Sequence, residues 1–121
     1  MKILPPTLRE KKRYLTVEIM KDGRINRDRF LRALQDSIKD LFGDVGLSET
    51  GLRLLHFDGT RAVVRCTPKM VWAVRAGIAT ITQIDGVKVS VRVIGIGGTV
   101  RSVMEKYVET GSENMSLQLL K

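Results

Sequence analysis

The chain has 121 residues, 43% hydrophobic and 28% charged, which suits one folded domain around one core and lies far from the composition of a disordered chain. Its 21 Lys and Arg outnumber 13 Asp and Glu, and the resulting net charge of +8 favours a polyanionic partner: RNA, DNA or an anionic membrane surface. A single cysteine (Cys66) and a single histidine (His56) exclude a disulfide framework and a Cys/His zinc site within one chain. No apolar run approaches the roughly 18 residues of a membrane span. The basic N-terminus is not followed by the apolar stretch of a signal peptide, so a cytoplasmic protein is expected.

Residues 1–13 carry Lys2, Arg9, Lys11, Lys12 and Arg13 against Glu10 alone, and Pro5-Pro6 blocks regular structure there. This segment is expected to be a basic arm. From Tyr14 to Met20 the chain alternates, Leu15, Val17 and Ile19 on one face and Tyr14, Thr16 and Glu18 on the other, the period of a half-buried strand. Lys21-Asp22-Gly23 then turns it. Asn26 is placed to cap a helix in which Phe30, Leu31, Leu34, Ile38, Leu41 and Phe42 recur at helical spacing, with Gly43 and Gly46 expected to end it. Leu52–Phe57, Asp58-Gly59-Thr60 and Arg61–Cys66 read as strand, tight turn and strand, although the residues of the first strand do not settle its register.

Thr67-Pro68 opens a second helix with Val71, Val74, Ile78 and Ile81 as its buried stripe, and Ala73, Gly77 and Thr80 give it another face of little bulk. After Asp85-Gly86, Val87, Val89, Val91 and Val93 alternate with Lys88, Ser90 and Arg92 as a strand. Gly95–Gly98 and Thr99 then lead to a short amphipathic helix carrying Val100, Val103, Met104, Tyr107 and Val108. Residues 111–121 read as a loosely ordered tail. The domain is therefore placed at 14–110. Its element order, βαββαβ, is that of an α+β ferredoxin-like (RRM-like) fold: a four-stranded antiparallel sheet with helices on one face and an added C-terminal helix.

RNA-recognition motifs on this frame stack bases on sheet aromatics, and here Tyr14 is nearly alone in that position. What the outward sheet face offers is Arg61, Arg65, Lys88 and Arg92, suited to phosphates but also compatible with an ordinary solvated face. The arm cluster Arg9, Lys11, Lys12 and Arg13 is the stronger candidate for RNA, because counterion release rewards dense positive charge where no fold demands it. The glycines before Thr99 lack the Lys-Ser/Thr pair of a P-loop and read as a strand-to-helix turn. His56, beside Leu54 and Phe57, reads as structural, and the carboxylates are scattered. No catalytic residue and no bound cofactor or metal is expected. Ala73, Gly77 and Thr80, with Leu117, Leu119 and Leu120, exceed what the core needs and are expected at a partner interface.

Leu4-Pro5-Pro6-Thr7-Leu8-Arg9-Glu10-Lys11-Lys12-Arg13-Tyr14 closely resembles the opening of archaeal ribonuclease P protein component two, a family with eukaryotic counterparts. Val93-Ile94-Gly95-Ile96-Gly97-Gly98-Thr99-Val100 is similar to that family's strand-to-helix junction, with Gly97 where the family has serine and Arg101 where lysine is common. The resemblance implies a non-catalytic cytoplasmic subunit that binds and stabilises a catalytic RNA, which uses Mg²⁺ to remove the 5′ leader of precursor tRNA. It also implies pairing with a TIM-barrel-like subunit, component three, and two such pairs joined through this protein as a homodimer. A free-standing RNA-binding or ribosome-associated module is the alternative from another class. A ligand-sensing ferredoxin-like domain is disfavoured by the charge.

Overall fold

The structure, a computed structural model, describes residues 12–101 and residue 103. In chain order the elements are β1 (Arg13–Lys21), α1 (Arg27–Thr50), β2 (Arg53–Phe57), β3 (Arg61–Cys66), α2 (Val71–Ala79), β4 (Gln83–Ile84) and β5 (Val87–Gly97). The strands form one sheet in the order β2-β3-β1-β5-β4, with antiparallel neighbours throughout. Without β4 this is the order of two interleaved split βαβ units, as the element sequence predicts. The expected four-strand count is corrected to five, because Asp85 and Gly86, both at positive φ, fold Gln83–Ile84 back on Val87–Lys88.

The helices cover one face. Leu15, Val17 and Ile19 of β1, Ala62, Val64 and Cys66 of β3, and Val89 and Val91 of β5 meet Phe30, Leu34 and Ile38 of α1 and Val74 and Ile78 of α2 in one core. Each large aliphatic or aromatic side chain there contributes about 1.5–3 kcal/mol by leaving water. Asn26 caps α1 as expected, its Oδ1 accepting a hydrogen bond from the Arg29 N–H at 2.8 Å. Gly43 breaks the helical geometry (φ 77°, ψ 177°), but the chain resumes helix and ends at Gly51, in the left-handed conformation suited to a terminating glycine. Gly46 therefore lies inside α1 and does not end it. At the β2–β3 turn Asp58 Oδ1 accepts from the N–H groups of Thr60 and Arg61, at 2.9 and 2.7 Å, and Gly59 takes positive φ.

Two expectations about glycine and small residues are corrected. Gly95 and Gly97 are not in a turn: β5 continues through both, opposite Thr16 and Tyr14. Ala73 and Gly77 are buried, Gly77 against Ile38 of α1, and do not form an exposed face, whereas Thr80 is exposed. The lack of a side chain at Gly77 lets the two helices approach closely. Of the C-terminal helix, Val100, Arg101 and Val103 are described and helical; Leu117, Leu119 and Leu120 lie outside the described residues. Among the described residues no helix is long and apolar enough to cross a membrane.

Candidate nucleic-acid interface

The sheet face turned away from the helices is built in three cross-strand rows, because residues two apart along a strand share a face and register aligns them across strands. In the first row, Glu18 of β1 lies opposite Arg61 of β3 and Arg92 of β5. Glu18 Oε1 accepts from Arg92 Nε at 3.1 Å and meets Arg92 Nη2 at 2.9 Å. Arg61 Nη2 lies 3.6 Å from Asp58 Oδ2. Both guanidinium groups thus face carboxylates.

The second row runs His56, Val63, Thr16 and Gly95. Its centre is closed: Thr16 is 0% and Val63 1% exposed, since Val103 lies over them with Tyr14 alongside. The Thr16 hydroxyl donates to the Val103 carbonyl at 3.3 Å. A strand residue that alternation assigns to the outward face belongs here to a small second core.

The third row runs Arg53, Arg65, Tyr14 and Gly97. Arg53 is exposed and Arg65 half-buried, with the Arg65 Nε buried and without a hydrogen-bond partner among the described residues. Next to this row, Arg13 flanks an open notch with Ile96, Gly97, Gly98 and Thr99, and its Nη1 donates to the Lys12 carbonyl at 3.3 Å. Lys12 is half-buried near Gly51.

Of the cations expected to face RNA, Arg61, Arg65 and Arg92 do share one sheet face, and Lys88 extends it at the edge opposite Gln83. Arg9 and Lys11 lie outside the described residues. Strand alternation does not nominate Arg53, because a bulge at Leu55 breaks the period of β2: Leu54 is opposite Val64, yet His56 is opposite Val63. Glu18 is assigned to the outward face by alternation, but its role in holding Arg92 depends on a pairing between distant strands.

The helical side is of mixed charge. A groove between α1 and the α2–β4 connection is lined by Asp28, Asp36, Asp40 and Asp85 together with Arg32 and with Arg29, which is ion-paired to Asp85. Carboxylates there weaken the attraction of the groove for phosphate. Among the described residues no three His, Cys, Asp or Glu side chains group as metal ligands. Burial pushes the Cys66 thiol up to about 11, against the pull of the Lys12 ammonium, so a nucleophilic thiolate is disfavoured at neutral pH.

Fold and charge together define a basic α+β protein of the ferredoxin-like kind, with a group of cations on the outward face of its sheet. The chain belongs to the Rpp14/Pop5 family, which residues 13–108 match. It is 34% identical over 109 residues to ribonuclease P protein component 2 of Methanosarcina barkeri, covering 90% of this chain and 81% of that one. Against ribonuclease P protein component 2 of Archaeoglobus fulgidus the identity is 37% over 109 residues, covering 90% and 99%. A chain in the cryo-EM structure of yeast ribonuclease MRP superposes with a TM-score of 0.65 at 15% identity, covering 89% of this chain and 96% of that one. That likeness is one of fold.

Proposed function

We propose that this chain is a non-catalytic protein subunit of ribonuclease P, binding and stabilising the catalytic RNA that removes the 5′ leader from precursor tRNA. The observation that carries the reading is the family match over residues 13–108, together with relatives named ribonuclease P protein component 2 at 34% and 37% identity. The charge distribution supports it, since phosphates crowded around an RNA active site repel one another and cations on a protein relieve that repulsion. The hydrolysis is assigned to the RNA and its Mg²⁺. The arm residues Arg9, Lys11, Lys12 and Arg13 and the sheet residues Arg61, Arg65, Lys88 and Arg92 are the proposed RNA contacts, Arg61 and Arg92 the weaker ones because carboxylates already engage them.

The assembled enzyme is proposed to include a TIM-barrel-like component three, with a homodimer contact between two copies of this chain, and to work in the cytoplasm. Reconstitution tests the reading: precursor tRNA cleavage by the catalytic RNA at limiting Mg²⁺, with and without this protein and component three. Faster cleavage with the protein is the expected result. RNA binding without any effect on cleavage would instead favour a free-standing RNA-binding module.

A further inference from the structure

The three rows of the sheet face do not offer RNA the same chemistry. In the first row positive and negative groups alternate, Arg61, Glu18, Arg92, with Asp58 beside Arg61. A phosphate arriving there must displace a carboxylate or face its repulsion. The second row has no open centre, because Val103 covers Thr16 and Val63. In the third row Arg53 and Arg65 lie directly opposite each other on neighbouring strands, followed by Tyr14 and Gly97, and the row contains no carboxylate.

Like charges opposite one another across a β-ladder repel, and the usual remedy is a carboxylate between them, as Glu18 provides in the first row. The third row lacks that remedy while keeping both guanidinium groups. A guanidinium carries a fork of N–H donors matched to a phosphate, and two forks on adjacent strands can hold one bridging phosphodiester or two successive ones. Gly97, with no side chain, ends the row and leaves its far side low.

Resting on the reading of this chain as an RNA-binding subunit, we propose that Arg53 and Arg65 form a clamp for the RNA backbone, and that this end of the sheet, not the Arg61–Arg92 end, is where the domain grips phosphate. The contact reads no sequence, since a phosphodiester carries none. Arg53 is half of the clamp and does not belong to the set of cations that strand alternation nominates.

The test uses the full chain and the in-vitro-transcribed ribonuclease P RNA of the same source, with binding measured across a salt series. The double variant R53Q/R65Q is expected to bind more weakly and to flatten the dependence of log affinity on log salt by about 1.4, roughly 0.7 for each single-strand phosphate no longer neutralised. R92Q, whose side chain is engaged by Glu18, is expected to flatten the slope by less than R53Q does. Since Arg65 is half-buried, R53Q alone is measured as well; Arg53 is exposed, its replacement spares the core, and half of the slope change is expected from it. A wild-type slope in R53Q, or an R92Q loss as large as that of the double variant, would overturn the clamp while leaving the RNA-binding reading intact. Failure of the wild-type chain to bind the RNA would overturn both.

Discussion

Gly77 of α2 faces Ile38 of α1 so closely that a β-carbon placed on Gly77 would lie 2.5 Å from Ile38 Cγ1, with the Ile38 backbone N at 3.5 Å. Glycine here sets the distance between the helices, at the expense of helix propensity. Gly77→Ala would gain up to about 1 kcal/mol in propensity, but must move a side chain packed in the core. A net loss of about 1–3 kcal/mol is expected from the overpacking. Gly77→Leu should unfold a large fraction of the protein. Urea denaturation of both variants measures this, and an Ala variant as stable as wild type would show that the helices can separate freely.

Leu34 is fully buried between the helices and the sheet, while Lys39 is exposed and ion-paired to Asp44 at 3.4 Å. Leu34→Ala should cost about 2–5 kcal/mol, and Lys39→Ala less than about 1 kcal/mol. Chemical denaturation of the two side by side checks the assignment of the buried face.

Cys66 gives the fold an alkaline limit. The folded thiol ionises at about 11 and an unfolded one near 9.0, so above the lower value the unfolded chain releases a proton that the folded chain retains. Stability is therefore fully present below pH 9 and falls as the pH rises towards 11, by about 1.4 kcal/mol per pH unit in that window. Denaturation midpoints on either side of pH 9 should show a steeper fall for the wild type than for Cys66→Ala. Parallel curves would mean that the thiol does not contribute.

Removing the carboxylate from the Glu18–Arg92 pair frees a cation on the sheet face. Glu18→Gln should strengthen binding to the catalytic RNA and steepen its salt dependence by about 0.7, with less than about 1 kcal/mol lost from the fold. Weaker binding would indicate that Glu18 positions Arg92 for RNA instead of masking it.

Neutralising Lys11, Lys12 and Arg13 together should weaken RNA binding and flatten the salt slope by up to about 0.7–0.9 for each phosphate that the arm neutralises. Raised Mg²⁺ should partly rescue cleavage in the reconstituted enzyme, as divalent ions screen the same phosphates. If the triple variant keeps both the wild-type slope and the wild-type Mg²⁺ requirement, the arm makes no RNA contact.

Features set by neighbours along the chain are legible in the amino-acid sequence alone. The Asn26 cap, the Phe30–Leu34–Ile38 stripe and the Asp58-Gly59 turn depend on residues a few positions apart, and each occurs where periodicity and turn chemistry place it. What the sequence conceals depends on distant partners. β4 has only two residues, too few to display a period. Gly95 and Gly97 read as a turn until Thr16 and Tyr14 are seen to supply the opposing strand. Ala73 and Gly77 suggest an unused surface until Ile38 is found against Gly77. The outward cations Arg61, Arg65 and Arg92 are legible as a group, but which of them carboxylates engage follows from register and turn geometry. The pairing of Arg65 with Arg53 is hidden by the bulge at Leu55.

The strand order β2-β3-β1-β5-β4 also sets a timetable for biosynthesis. β2 and β3 form a local hairpin and can pair as soon as they leave the ribosome. β1 emerges first, yet its partners are β3 and, finally, β5, which ends at Gly97. Until then Leu15, Val17 and Ile19 belong to a strand with an unfilled edge, and the small second core waits longer still, for Val103. The nascent chain therefore spends most of its synthesis with its central strand incompletely paired, a state in which self-association is the main hazard. Slowed translation between β3 and β5 would lengthen that exposure, with soluble yield the quantity that suffers.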